Sequence, residues 1–424
     1  MNPKAEPIGD VERSRTATTE AVEDIHIPDG GYGWVCVACV ATVNSFTWGV
    51  AASYGVYLAY YLSNNVFPEA TALDYAFIGG LVFGAAMLSS TPATIAVRLW
   101  GIHPPMLLGI AFQTAGFVAA SFATRIWQLY LSQGLLFGLG IGFIWIPSNP
   151  ISSQWFARKR SLANGITSAG SGIGGVIFSF AVRASIEHVS LAWALRITGI
   201  VSGACNLAAC IFLRSRNKAI KPSLRGFDFR LFRSQGVICL LAWGFFSLLG
   251  YVTILYSLSD FARSIGLSAS QAATTTAALN GGTLIGRPLI GIMSDRYGRI
   301  KVAGYITTAN AVFVFALWIP AQNWPLLLVF AVLSGATIGL FWGTISPLCA
   351  EVVGLKHLPS LLSLCWAIIT LPTTFSEVIA LKIRRPDSDR EYLYPQIYAG
   401  LAYLVASIMM FRLWQIRDQF PIKH

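Results

Sequence analysis

Twelve apolar stretches, most of them about 20 residues long, run through this chain and restrict its fold more than any single motif does. In hydrocarbon every backbone N–H and C=O must find a partner within the chain, so stretches of this length cross a bilayer as α-helices. They lie roughly at 33–57, 75–98, 104–123, 127–149, 161–182, 190–213, 236–258, 270–293, 301–319, 325–347, 358–381 and 394–414. Charged residues make up only 12% of the sequence, about half their share in soluble domains. The expected architecture is an all-α membrane protein of twelve transmembrane helices arranged as two six-helix halves.

The boundaries follow from composition. Residues 1–28 hold little apolar content and are expected to form a disordered cytosolic tail. Residues 29–213 form the N-terminal half, 214–235 a basic cytosolic linker, 236–415 the C-terminal half and 416–424 a short cytosolic tail. Of the 30 Lys and Arg, 21 fall on one side if the N-terminus is cytosolic, seven on the other, and Arg196 and Arg287 within spans. That asymmetry places both termini in the cytosol and assigns the net charge of +11 to membrane topology, with lipid rather than nucleic acid as the contact. The plasma membrane is the expected location, and no obligate protein partner is evident. The seven Cys all lie in or beside spans and read as small packing residues, Cys36-x-x-Cys39 included. Neither a metal cluster nor a catalytic constellation is apparent. A phosphate-cradling GxxxxGK[ST] is also missing, so no cofactor is expected and ATP does not drive the protein directly.

Two charges inside spans stand out. Arg287 sits in the otherwise uncharged TTTAALNGGTLIGRPLIGIM, where a cation costs at least a few kcal/mol and normally faces a cavity or protein interior. Its guanidinium suits a carboxylate or other polar oxygen of a cargo; the alternative is a side chain snorkelling towards the cytosol. Glu377 is either a carrier of a coupling proton or an outer-end acid paired with Lys382 or Arg384. Arg196 is expected to pair with Glu187. Asn44, Ser53, Tyr54, Tyr251, Tyr256, Asn280, Thr283, Trp342 and Trp366 are candidates to line an aromatic, weakly polar pathway.

Three local patterns bear on movement. Asp29-Gly-Gly-Tyr32-Gly33-Trp34 opens the first span, with Asp29 placed to cap that helix. Trp155-Phe-Ala-Arg158-Lys-Arg160-Ser-Leu-Ala-Asn-Gly165 feeds the Gly-rich fifth. Gly291-Ile-Met-Ser-Asp295-Arg296-Tyr-Gly-Arg299 follows the eighth, and its counterpart after the second span lacks the acid. The first two resemble the signatures of the monocarboxylate-porter family of the major facilitator superfamily, in its fungal branch. The third resembles the superfamily's Gly-x-x-x-Asp-Arg-x-Gly-Arg loop. The resemblance covers nearly all of the chain after residue 28 and implies the major facilitator fold. It also implies that Asp29, Gly33, Trp34, Arg158, Arg160, Gly291, Asp295, Arg296 and Arg299 belong to gating segments. Arg287-Pro288 matches an Arg-Pro pair of the proton-coupled animal members, but Thr283 and Ala52 stand where those members have an Asp and a Lys.

The resulting expectation is a secondary or facilitative transporter working by alternating access on a small organic molecule, anionic or amphiphilic. Export of an amphiphilic product such as a fungal secondary metabolite is the leading reading. Uptake or proton-coupled exchange of a monocarboxylate is the second, and a transport-inactive receptor or scaffold the third.

Overall fold

Four helices begin at residues whose side chains accept a main-chain N–H three positions on: Thr71, Ser190, Ser268 and Asn323. All four start even-numbered spans, so these polar caps share one face of the molecule. A computed structural model describes residues 27–222, 228–385, 388 and 390–417. The expected tail at 1–28 lies almost wholly outside the described residues, as do 223–227 of the linker and 418–424 of the C-terminal tail.

Among the described residues there is no strand, and eight helices are long and apolar enough to cross a membrane, or nine with one bent pair. That pair is Phe77–Leu88 and Ser90–Trp100, bent by 40°, and with the start of its first helix at Ala72 it makes span 2. One of the eight, Trp324–Ile383, is two passes: its helix is interrupted at Gly339, and Gly354 turns the chain back with φ 73°. These are spans 10 and 11. The less apolar helices His103–Ala120 and Ala269–Tyr297 are spans 3 and 8. The others are span 1 (Tyr32–Leu58), span 4 (Ile126–Trp155), span 5 (Arg160–His188), span 6 (Leu191–Phe212), span 7 (Gln235–Ser264), span 9 (Arg299–Trp318) and span 12 (Leu393–Gln415). Exposed Phe77, Leu88, Phe180, Ile211 and Ile285 form an apolar exterior suited to lipid.

The first six spans pack chiefly on each other, as do the last six, and the two sets meet mainly where span 5 lies against span 8 and span 2 against span 11. The span 5–8 crossing is close because two glycines permit it. A methyl at Gly165 would sit 2.6 Å from the Arg287 carbonyl oxygen, and one at Gly291 would sit 2.6 Å from that of Ser161. Linker residues Arg214–Ile220 dock on the ends of spans 1 and 4. The Arg214 carbonyl accepts the Trp155 indole N–H, and Gln154 bonds both Arg216 and Asn217. The Asp29 mouth, the 155–162 loop, the linker and the 291–299 loop therefore occupy one face.

Candidate functional site

On that face the two halves are fastened by one carboxylate. Asp295, at the end of span 8, accepts the main-chain N–H groups of Ser161 (3.0 Å) and Leu162 (2.8 Å) at the start of span 5. A negative charge meets the exposed N–H groups and positive dipole end of a helix, which is a favourable arrangement. Arg299 backs Asp295 at 3.2 Å, donates to the Ala157 carbonyl across the interface, and approaches Glu351 at 3.9 Å. Ser153 and Ser346 bond hydroxyl to hydroxyl across the same boundary. We call this set the latch. Arg160 is buried beside it, donating to the Phe156 carbonyl.

One expectation needs correction here. Asp29 does not cap its own helix: its Oδ1 accepts from the N–H groups of Ala157 (2.7 Å) and Arg158 (2.9 Å), while Gly31 occupies the cap position. The turn through Asp29 and Gly31, both with positive φ, aims the carboxylate at the neighbouring loop. Arg158 joins only through that N–H, its side chain being exposed, and Arg296 is exposed beside Tyr297, outside the latch. Gly33 and Trp34 pack against Phe156, the Trp34 ring at 4.8 Å.

Deeper in the bundle, four tryptophans from both halves meet. Trp145 lies 4.7 Å from Trp366 and 5.6 Å from Trp48, and Trp342 stacks on Trp366 at 6.3 Å and an interplanar angle of 9°. Tyr251 touches Trp342 edge-on at 6.3 Å. Trp48 and Trp342 are half-buried, and the indole nitrogens of Trp48 and Trp366 are buried without a hydrogen-bond partner. Asn44 accepts the Trp145 indole N–H at 3.0 Å, so it positions a ring instead of facing a ligand. Beside Tyr251 a small recess opens within the second half, lined by Trp243, Ser247, Asn310 and Tyr403. The Ser247 and Tyr403 hydroxyls are buried there without partners. A second recess lies near the latch among Pro147, Pro150 and Pro359, with few polar groups.

Arg287 does not snorkel. It is 8% exposed, and its Nη1 donates to the Ser168 carbonyl (2.6 Å) and the Ser171 hydroxyl (2.8 Å), both on span 5. Its Nε has no partner, and among the described residues no carboxylate pairs with it. A methyl at Gly339, where span 10 is interrupted, would lie 2.7 Å from that Nε. The buried guanidinium is thus held by two neutral oxygens, with a donor left over.

Other candidates fall elsewhere. Tyr54 donates to the Tyr75 carbonyl and Thr283 to that of Asn280, so both hydroxyl protons are already in use; Asn280 itself is exposed. Glu377 has neither of its expected partners: Arg384 is taken by Asp260 and Glu391. Arg196 donates to the Ser121 hydroxyl and lies over Phe122 and Trp193, while Glu187 pairs with Arg183. The sequence reading missed Trp48, Trp145 and Glu351. The two tryptophans sit in the apolar centres of spans 1 and 4, where only their distance from the interfacial belt set them apart.

The sequence matches the family model described as Major Facilitator Superfamily over residues 34–258 and 240–382. It is 34% identical to the probable transporter MCH2 of Saccharomyces cerevisiae, over 93% of this chain and 84% of that protein. It is 29% identical to the aspyridones efflux protein apdF of Emericella nidulans, over 76% of this chain and 66% of that protein. The fold is similar to that of the fucose:proton symporter FucP of E. coli, with a TM-score of 0.71 at 15% identity, over 90% of this chain and 99% of that one.

Proposed function

Because this chain belongs to the major facilitator superfamily, and is thereby a multi-pass membrane transporter of small molecules, we propose that its cargo is an amphiphilic organic anion with an aromatic or otherwise flat body. One observation carries the reading: Arg287 is buried with no acid partner among the described residues and an unpartnered Nε, and Tyr251, which touches Trp342, is close enough to interact with its charge. A carboxylate or enolate oxygen would complete the guanidinium, and flat apolar surface would lie against indole faces. The cargo would move as the halves rock about it, with the latch closed in the state described and broken in the other.

Membership of the monocarboxylate-porter family, fungal branch, is the subfamily that the two signature segments support. Export is the favoured direction, since an aspyridones efflux protein is among the relatives and since Thr283 and Ala52 replace the Asp and Lys of proton-coupled members. Uptake or exchange of a monocarboxylate is the second reading, favoured by Arg287-Pro288. We place the latch face in the cytosol and the protein in the plasma membrane on the distribution of Lys and Arg.

The test is flux in proteoliposomes holding the purified protein. Naphthalene-2-carboxylate should move saturably and its neutral carboxamide should not. Equal transport of the two would overturn the anion assignment, and a preference for lactate over naphthalene-2-carboxylate would favour the nutrient reading.

A further inference from the structure

Glu377 lies in span 11 roughly 16 Å along the helix from Trp366, towards the face opposite the latch. It is half-buried, and an acid at this depth is expensive unless something stabilises it. No cation does so among the described residues. Arg384, at the helix end, is held by Asp260 and Glu391, and Lys382 makes no ion pair with it. What meets Glu377 is the hydroxyl of Ser257 on span 7, 3.1 and 3.2 Å from its two oxygens. The other ionisable groups nearby from span 7 are Tyr256 and Asp260, the second a like charge. Span 12 contributes Tyr398, which reaches the adjacent Ser376.

We propose that Glu377 and Ser257 form a proton-binding site whose occupancy decides which face of the carrier is open. The chemistry rests on the hydroxyl. Ser257 donates to Glu377 when the acid is a carboxylate, and accepts from it when the acid is protonated, so the bond survives either charge state. An arginine partner would instead have fixed the carboxylate. The proton comes from water at the face opposite the latch and converts –COO⁻ to –COOH, with no other bond broken. An ionised Glu377 needs that side wet and open; a neutral one tolerates closure into a low-dielectric contact. Proton binding therefore favours closure around Glu377 and release of the latch.

The inference rests on the alternating-access reading but not on the identity of the cargo, and its test uses protons alone. Spin labels at Lys159→Cys and Lys356→Cys, both exposed on the latch face in opposite halves, report latch opening in lipid nanodiscs, with the unsubstituted chain as labelling control. Acidification should lengthen the inter-label distance in the otherwise native protein. Glu377→Gln, a permanent mimic of the neutral acid, should show the long distance at every pH, and Glu377→Asp should keep the response. Absence of any pH response with Glu377 intact, or the same response in Glu377→Gln, would overturn the proposal. Either failure would leave the cargo assignment standing, because no cargo is present.

Discussion

Arg287 on span 8 donates to the Ser168 carbonyl on span 5 at 2.6 Å, so a charge buried within the bundle is also a tie between its two halves. The tie is made to a neutral oxygen, and a cargo anion is a stronger partner for a guanidinium than a carbonyl is. An anion arriving at Arg287 would compete with Ser168 and Ser171. Binding and loosening of the span 5–8 contact would then be one event, which is what a carrier needs if loading is to trigger the switch.

Asp295→Asn should lower the transport rate while leaving the amount of protein in the membrane near normal. Asn can still accept a hydrogen bond, but the charge-assisted contact to the start of span 5 is worth about 1.5–3 kcal/mol, and Arg299 loses the nearer of its two acids. Transport per molecule, measured against surface abundance, decides. A fall in abundance alone would make Asp295 a folding residue and not a latch.

Two glycines separate packing between halves from packing within one. Gly165 faces span 8 across the boundary, whereas a methyl at Gly286 would lie 1.9 Å from the Ala336 carbonyl inside the second half. Overpacking of this kind costs about 1–3 kcal/mol or more. Gly286→Ala should reduce folded protein, while Gly165→Ala should leave it folded but biased towards the latch-open state. Thermal unfolding of the two purified variants, with label distances across the latch, would show the contrast. Equal loss of stability would mean that the span 5–8 contact never opens.

Trp342→Ala should weaken an aromatic anion more than an aliphatic one of equal charge. The stacked ring contributes about 0.5–1.5 kcal/mol beyond its buried area, roughly 2- to 13-fold in apparent affinity. Competition between naphthalene-2-carboxylate and octanoate measures this. Equal weakening of both would reduce Trp342 to packing.

Residues 157–162, 214–220 and 295–299 share one face through their mutual contacts. Impermeant labelling of cysteines placed at exposed Lys159 and Lys218 should modify both from the cytosolic side only. Labelling from outside intact cells would invert the topology.

The fold was legible because a bilayer forces helices of a fixed length, which the spacing of apolar stretches displays directly. Two passes were less visible: span 8, carrying Asn280, Thr283 and Arg287, and span 3 fall short by length or apolar content. The latch was partly legible. Asp295 and Arg299 belong to a pattern of fixed spacing, but Glu351 reaches Arg299 only through the packing of span 10, which no local spacing encodes. Asp29 shows the same limit: its residue type signalled capping, and the backbone turn decided whose N–H groups it met. The tryptophan cluster was half legible, since Trp342 and Trp366 could be singled out while their partners Trp48 and Trp145 are joined to them only in three dimensions.

The concentration dependence of naphthalene-2-carboxylate flux in proteoliposomes carrying Arg287→Gln, Arg287→Lys or unsubstituted protein tests the central claim most directly. Removing one partner of a desolvated charged contact costs about 2–5 kcal/mol, roughly 30-fold to several thousand-fold in apparent affinity. Arg287→Gln should show a loss of that size at normal levels of reconstituted protein, and Arg287→Lys, which keeps the charge without the planar fork, a partial recovery. Unchanged apparent affinity in Arg287→Gln would contradict the account, leaving Arg287 as a tie between the halves and no ligand of the cargo.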